Sequence, residues 1–325
     1  MIRRVLLVAA APVVAFLAVG PVADRLARRL MDAPRRLPEE SGMAPALDRL
    51  GGEVVRLRSR DGVRLAGRWL AAESGEGWAP DPREAIVVMH GWSGSVTPDL
   101  LDIGPFLRRT AGVLGLDFRG HGGSDDAPTS FGLNEVEDVA GALAWLGERG
   151  IRRVALVGSS MGGITAIASV AVLGDGRLAS ADADPAAPAS TVEAPRPRIV
   201  AVIADSVTPE LALVVANRMR IPFGRRIADR AFTSMARRLG ADPRDTEPIA
   251  VVGLLEDLPL LLVHGTEDRT VRMDDADRLA AAAPAGSRRL VIEGAGHGEG
   301  HAVDPDAYET AVSKLIREAF GAARP

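Results

Sequence analysis

Residues 154–163 read Val-Ala-Leu-Val-Gly-Ser-Ser-Met-Gly-Gly, and they are the most informative segment of the chain. Its four apolar residues predict a buried strand, and a turn of glycines and serines then leads into a nearly all-apolar helical segment. A G-x-S-x-G turn between a strand and a helix exposes its serine at the top of a sheet, and it is so tight that side chains two residues before and two residues after the serine would clash. In this register Ser160 is the candidate nucleophile, flanked by Gly158 and Gly162, and Ser159 occupies a variable position.

Outward from this stretch, the chain alternates apolar runs with helical segments. Uninterrupted apolar runs are typical of strands that are buried on both faces of a parallel sheet. They occupy residues 85–89, 113–118, 154–157, 199–204 and 258–263, with helical segments that include residues 133–149 and 161–173. Two earlier runs, 53–59 and 64–71, flank Asp61-Gly62, which is a hairpin turn signal. We therefore predict an α/β fold with a mostly parallel central sheet, an antiparallel N-terminal hairpin and helices on both faces.

The composition excludes several classes of chemistry. The 325 residues include 39 basic and 43 acidic ones, a formal net charge of −4, so no nucleic-acid partner is expected, because binding to phosphates needs a cationic surplus. Cysteine is absent, which excludes cysteine nucleophiles and disulfides, and Lys314 is the single lysine, which leaves Schiff-base chemistry almost without candidates. The few histidines are therefore the bases to follow, and they stand at positions 90, 121, 264, 297 and 301.

A serine nucleophile needs a histidine base that a carboxylate orients. Asp268 follows the run 258–263, and His297 follows the next predicted strand, so both loops open on the same edge of the sheet as Ser160. We assign Asp268 as the acid and His297 as the base. Three alternatives remain open, namely Asp205 or Glu267 as the acid and His301 as the base.

The chemistry also needs two backbone donors for the oxyanion of the tetrahedral intermediate. The amide of Met161, the residue after the nucleophile, is the first candidate. The amide of Trp92, in the loop His90-Gly91-Trp92 that follows the first central strand, is the second. We expect the indole of Trp92 to line the substrate pocket.

The N-terminal segment differs from the rest of the chain. Residues 5–23 carry no charge and arginines flank them on both sides. This pattern predicts that residues 1–30 form a single membrane-anchoring helix, with the richer downstream arginines favouring a cytoplasmic body. A cleaved signal peptide, and so secretion, is the main alternative, and a soluble N-terminal helix is another. Residues 31–52 are predicted to be a linker.

Two segments interrupt the alternation within the predicted domain, residues 53–325. Residues 174–198 are rich in alanine, aspartate and proline, and they are predicted to be a surface insertion. Residues 206–250 have helical apolar spacing and are predicted to form a helical lid over the site.

Taken in order, these motifs resemble the α/β-hydrolase superfamily of serine hydrolases over residues 53–321. His90-Gly91-Trp92 is similar to its oxyanion loop, residues 117–124 (DFRGHGGS) to its D-x-R-G-x-G-x-S segment, and residues 264–268 (HGTED) to its H-G-x-x-D segment. The G-x-S-x-G turn at residues 158–162, which is similar to the nucleophile elbow of the family, and Gly296-His297 complete the set. The opening strands are similar to the prolyl-oligopeptidase-like and membrane-anchored esterase and thioesterase branches. The resemblance implies that Asp117 and His121 are structural.

The expected function is hydrolysis of carboxylic esters through Ser160, His297 and Asp268 by way of an acyl-enzyme, with no metal and no cofactor. The expected substrate is a small-molecule or lipid-like acyl ester. A serine peptidase or acyl thioesterase with the same triad is the first alternative, and a non-catalytic binding protein on the same scaffold is the second.

Overall fold

The computed structural model describes residues 19–35, 42–74, 78–92, 94–174 and 196–321. Eight strands form one sheet in the order β1-β2-β4-β3-β5-β6-β7-β8. The strands are β1 Glu53–Arg58, β2 Arg64–Leu70, β3 Glu84–Met89, β4 Gly112–Leu116, β5 Arg153–Ser159, β6 Arg198–Asp205, β7 Leu260–Gly265 and β8 Arg288–Ile292. Strand β2 pairs antiparallel with β1 and β4, and all the other pairs are parallel. This arrangement confirms the predicted fold class.

Helices cover both faces of the sheet. Residues 19–31 form helix α1. The other helices are α2 Ala44–Leu50, α3 Thr97–Asp102, α4 Gly104–Leu107, α5 Glu135–Glu148, α6 Met161–Leu173, α7 Leu211–Met219, α8 Gly224–Leu239, α9 Pro248–Val251, α10 Met273–Ala282, α11 Gly300–Val303 and α12 Pro305–Gly321. Successive residues of β3 point to opposite faces, so Val87 belongs to the buried cluster of α5 and α6, and Ile86 to that of α12.

Helices α7 and α8 lie between β6 and β7, within the segment 206–250 that the sequence predicts to be a lid. Helix α8 is strongly amphipathic, and its buried side includes Ile227, Phe232 and Met235. Its opposite side is rich in arginine. The helix therefore packs on the body of the domain through its apolar side alone. The role of this segment as a lid stays a prediction. Most of the predicted insertion 174–198 lies outside the described residues.

The N-terminal part of the chain packs on the domain. The predicted membrane segment falls mostly on residues 1–18, which lie outside the described residues, as does part of the predicted linker. Helix α1, however, buries Ala23, Ala27 and Leu30 in the same core cluster as α6 and α8. Its Asp24 accepts hydrogen bonds of 2.7 Å from Ser234 and Arg238 of α8. The boundary predicted at residue 30 therefore cuts through an element that is packed against the body.

The membrane anchor itself stays a prediction. Within the described ranges, no helix combines the length and the apolar character that crossing a bilayer requires.

A buried ion-pair network holds the loop that follows β4. Arg119 donates to Asp138 of α5 at 2.7 Å and to Asp61 of the β1–β2 turn at 2.8 Å. The side chains of Arg119 and Asp138 are 4% and 0% exposed, so neither charge is solvated by bulk water. The network joins the β1–β2 hairpin, the loop after β4 and helix α5 into one unit.

We expect Asp138→Ala to lower the free energy of unfolding by about 3 kcal/mol, because it leaves the buried Arg119 with one partner fewer. Glu137→Ala is the matched control, since the neighbouring Glu137 pairs with Arg60 at the surface and its loss should cost less than about 1 kcal/mol. Urea denaturation measures both values. Equal losses in the two variants would contradict the structural role of the buried pair.

Candidate active site

Ser160 stands at the turn between β5 and α6. Its backbone has φ 52° and ψ −114°, a conformation that costs energy for a residue with a side chain. Two glycines make the turn possible. A Cβ on Gly158 would lie 2.2 Å from the backbone carbon of Gly162, and one on Gly162 would lie 2.2 Å from the carbonyl oxygen of Met89. The turn therefore presents the Ser160 side chain at the carboxyl edge of the sheet.

His297 and Asp268 meet Ser160 at this edge. The Nε2 atom of His297 lies 3.0 Å from Oγ of Ser160, and its Nδ1 atom lies 2.8 Å from Oδ2 of Asp268. The other oxygen of Asp268 accepts from the amides of Thr270 and Val271 at 2.8 and 2.9 Å. Because Asp268 is an acceptor here, the proton of the neutral imidazole is placed on Nδ1, which leaves Nε2 free to accept the serine proton.

The carboxyl group of Asp268 is kept ionised by its partners. Burial raises the pKa of Asp268, but the hydrogen bond from His297 and the two loop amides outweigh burial, so the net pKa lies below the usual 3.8. An ionised Asp268 can therefore stabilise the imidazolium that forms when His297 takes a proton.

The alternative acids and base occupy other positions. Glu267 is exposed, and its amide donates to Ala295. His301 lies with Nδ1 2.7 Å from Asp102, away from Ser160. Asp205 is buried beneath the turn, where Ser206 donates to it at 2.9 Å, and burial raises its pKa to about 6. Asp268 is thus the acid that the structure places in hydrogen-bond contact with His297.

Ser206 is a residue that the sequence interpretation did not identify. Its hydroxyl accepts from the amide of Gly298 at 2.9 Å and donates to Asp205, so it ties the His297 loop to the end of β6. The carbonyl of Asp205 in turn accepts from the amide of Ser160 at 2.8 Å. One short segment after β6 thereby positions both the serine and the histidine loop. A serine next to an aspartate has no distinctive sequence signature, because its partners lie far away in the chain.

The two candidate oxyanion donors flank Ser160. Met161 is the first residue of α6, where a backbone amide has no acceptor within the helix. The loop that follows β3 and begins at His90 (the β3 loop) lies against the candidate nucleophile, since a Cβ on Gly91 would be 3.5 Å from Cβ of Ser160. The indole of Trp92 donates to the carbonyl of Leu30 at 3.0 Å. Helix α1 therefore helps to hold the loop that carries the second donor.

His90 fixes the start of the same loop. Its Nε2 accepts from the amide of Phe118 at 3.1 Å, so its Nδ1 carries the proton and donates to the carbonyl of Gly91 at 2.7 Å. Burial, together with the neighbouring His121, lowers the pKa of His90 to about 3, so His90 is a neutral structural residue. Asp117 holds the other end of the loop by accepting from Val96.

Two further histidines are structural. Burial lowers the pKa of His264, whose Nε2 lies 3.0 Å from the carbonyl of Val271 at the end of the Asp268 loop. Burial also lowers the pKa of His121, whose ring contacts that of His90. Among the residues that the structure describes, no group of three or more His, Asp or Glu side chains is arranged to hold a metal ion.

A cavity of about 570 Å³ opens beside Ser160 and His297. Its walls are mainly apolar and come from α1, the β3 loop, α6 and α7. They include Leu26, Leu30, Trp92, Phe131, Ile164, Val214, Val215 and Met219. The sequence interpretation predicted the contribution of Trp92 and of the 206–250 segment, but it missed that of α1. The spacing of Ala23, Ala27 and Leu30 is that of the buried side of a helix. The adjoining uncharged run favoured a membrane segment instead, so the packing of this helix on the domain was not predicted.

The chain is similar to known hydrolases in sequence and in structure. A family model described as the alpha/beta hydrolase family matches residues 86–311. The uncharacterized protein Rv2307c of Mycobacterium tuberculosis is 26% identical over 298 residues, 90% of this chain and 87% of that one. The uncharacterized protein YfhR of Escherichia coli O157:H7 is 24% identical over 251 residues, 77% of this chain and 75% of that one.

Two solved esterases share the fold. The Pyrococcus furiosus esterase Pf2001 superimposes with a TM-score of 0.61 at 18% identity, covering 88% of this chain and 98% of its own. A thermophilic esterase from Thermogutta terrifontis gives a TM-score of 0.54 at 17% identity, covering 82% of this chain and 99% of its own. At such identities the likeness concerns the fold.

Asp205→Asn is expected to remove a pH-dependent part of the stability. Because the pKa of Asp205 is about 6 in the folded protein against 3.8 for an ordinary carboxyl, the folded state binds more protons between these values. The free energy of unfolding of the wild type therefore falls as pH rises through this window, and the Asn variant lacks that loss. The variant should gain about 2 kcal/mol on the wild type between about pH 4 and about pH 7.5 in chemical denaturation. If the difference in the free energy of unfolding between the two proteins does not change with pH, the raised pKa of Asp205 is contradicted.

Proposed function

The chain belongs to the alpha/beta hydrolase family, and on that premise we propose that it is a serine hydrolase that cleaves carboxylic esters through Ser160, His297 and Asp268. The observation that carries the proposal is the continuous hydrogen-bonded path from Oγ of Ser160 through His297 to Asp268, at 3.0 and 2.8 Å. Its esterase structural neighbours are consistent with this chemistry.

In the proposed mechanism, His297 removes the proton of Ser160 as the hydroxyl attacks the carbonyl carbon of the ester. The charge that develops on the carbonyl oxygen is stabilised by the amides of Met161 and Trp92, each worth about 10²–10³ in rate. The imidazolium then donates its proton to the leaving alcohol, which gives the acyl-enzyme. Water, activated by His297, attacks the acyl-enzyme and releases the acid.

The shape of the cavity supports an ester with an apolar chain. An acyl chain that lies against Trp92, Phe131 and Ile164 would bury apolar surface, at about 25 cal/mol per Å². Leu26 and Leu30 of α1 would contact the same chain. Binding energy of this kind would orient the ester carbonyl toward Ser160.

We expect Ser160→Ala to abolish covalent labelling by a fluorophosphonate probe and to lower the hydrolysis of p-nitrophenyl butyrate by at least ~10⁴-fold, because Ser160 carries the hydroxyl that is hydrogen-bonded to Nε2 of His297. Ser159→Ala is the matched control, since it removes the neighbouring hydroxyl of the same turn and should remain labelled. Mass spectrometry of the probe adduct identifies the labelled residue.

Comparing p-nitrophenyl esters, acyl thioesters and aminoacyl amides at equal concentration separates the expected esterase from a thioesterase or a peptidase. Unlabelled wild-type protein that hydrolyses none of the three classes would overturn the enzymatic proposal.

Replacing Asp268 by Asn is expected to lower kcat by about 10⁴-fold, because the amide no longer holds the imidazole in the required tautomer. Asp205→Asn should cause a far smaller loss, because the hydrogen-bonded link from Asp205 to the His297 loop runs through Ser206 and Gly298. Steady-state kinetics on p-nitrophenyl butyrate, with circular dichroism to verify folding, measure both. Activity that survives in Asp268→Asn and disappears in Asp205→Asn would refute the assignment of the acid.

A further inference from the structure

Two arginines line the mainly apolar cavity beside Ser160. Arg29 comes from α1 and Arg218 from α7, so two elements far apart in the chain each contribute one arginine to the same wall. The remaining wall is dominated by leucine, valine, methionine and aromatic side chains. Apolar contacts alone do not account for two cations at this position.

Neither guanidinium has an ion-pair or hydrogen-bond partner among the residues that the structure describes. Asp32, the acid closest to Arg29 in sequence, is exposed and forms no ion pair among the described residues, and the next nearest acids are already engaged. Asp24 of α1 pairs with Arg28 and Arg238, and Glu210 before α7 pairs with Arg225 and Arg278. Arg29 and Arg218 are both exposed at the cavity and free to meet a ligand.

The charge of this site opposes that of the whole chain, which carries a net −4. A guanidinium stays charged at all working pH values, and its planar N–H groups match the oxygens of a carboxylate or a phosphate. Two such groups in the wall of a mainly apolar cavity are complementary to a molecule that has an apolar chain and one negatively charged group.

We propose that the substrates of this site are esters that carry an apolar chain and a negatively charged carboxylate or phosphate, which Arg29 and Arg218 bind. The inference rests on the proposed ester hydrolysis and names the substrate class for it. Both arginines are specificity-determining residues, because they contact the substrate away from the reacting carbonyl.

Matched pairs of soluble esters test the proposal. The first pair places the charge on the acyl side, with mono-p-nitrophenyl suberate against p-nitrophenyl octanoate. The second pair places it on the leaving group, with the butyrate ester of 3-carboxy-4-nitrophenol against that of p-nitrophenol. The measured quantity is the ratio of kcat/KM for the charged ester to kcat/KM for the neutral one, corrected for the rates of spontaneous hydrolysis.

In at least one pair we expect this ratio to fall about tenfold in Arg29→Gln and in Arg218→Gln, because only the charged ester loses a charge-assisted contact. Raising the salt concentration should lower the ratio in the wild type, because ions screen exposed charges. Arg25→Gln and Arg237→Gln are the controls. They make the same change in net charge on α1 and α8, outside the cavity wall, and should leave the ratio unchanged.

Binding to the Ser160→Ala protein gives a second readout that needs no turnover. Octyl phosphate should bind at least about tenfold tighter than octanol in calorimetric titration, and Arg29→Gln or Arg218→Gln in the Ser160→Ala background should remove that preference. A preference equal in all variants overturns the inference. Binding of the same variants to anionic phospholipid vesicles is measured as well. If the two substitutions weaken vesicle binding and change nothing else, the inference is also overturned, and the arginines belong to a membrane-binding surface. If the wild-type protein hydrolyses no ester but the preference for octyl phosphate over octanol remains and depends on the two arginines, the result counts against the proposed function alone.

Discussion

The tight turn at Ser160 is the constraint on which the rest of the site depends. Strand β5, helix α6 and the end of β3 approach so closely there that a Cβ on Gly158 or Gly162 would overlap backbone atoms. Ser160 itself takes a positive φ. A conformation of this kind persists only where the surroundings over-determine it. Here the buried parallel strands on either side supply that constraint, and Met161, whose amide is the proposed oxyanion donor, begins α6 directly after the turn.

The partners of Ser160 are held by polar contacts between loops at one edge of the sheet. His264 ties down the end of the Asp268 loop, Ser206 ties the His297 loop to β6, and His90 closes the β3 loop. Each of these side chains is structural, and each acts on a backbone segment that carries a candidate catalytic group. The His297 path to Ser160 thus depends on residues that take no part in the proposed proton transfer.

The cavity adds a second layer, because it is built from elements outside the sheet. Helix α1 supplies part of its wall and accepts the indole hydrogen bond of Trp92. Asp24 on the same helix holds it against α8. The N-terminal segment is therefore connected to the β3 loop and to the inserted helices at once, and displacement of α1 would change the loop, the cavity and the position of Arg29 together.

The amino-acid sequence by itself determined the sheet with its hairpin, the elbow around Ser160 and the order of the motifs. These features follow from short-range physics, since uninterrupted apolar runs predict buried strands and tight turns require glycine. It left Asp205 as an alternative to Asp268 for the acid, and His301 as an alternative to His297 for the base, because motif order does not specify distances between loops. Only the tertiary structure brought Asp268 to His297, and only it packed α1 on α8. Those contacts join residues 29 and 210 positions apart, and weak local patterns such as Ala23, Ala27 and Leu30 cannot specify a partner so distant in the chain.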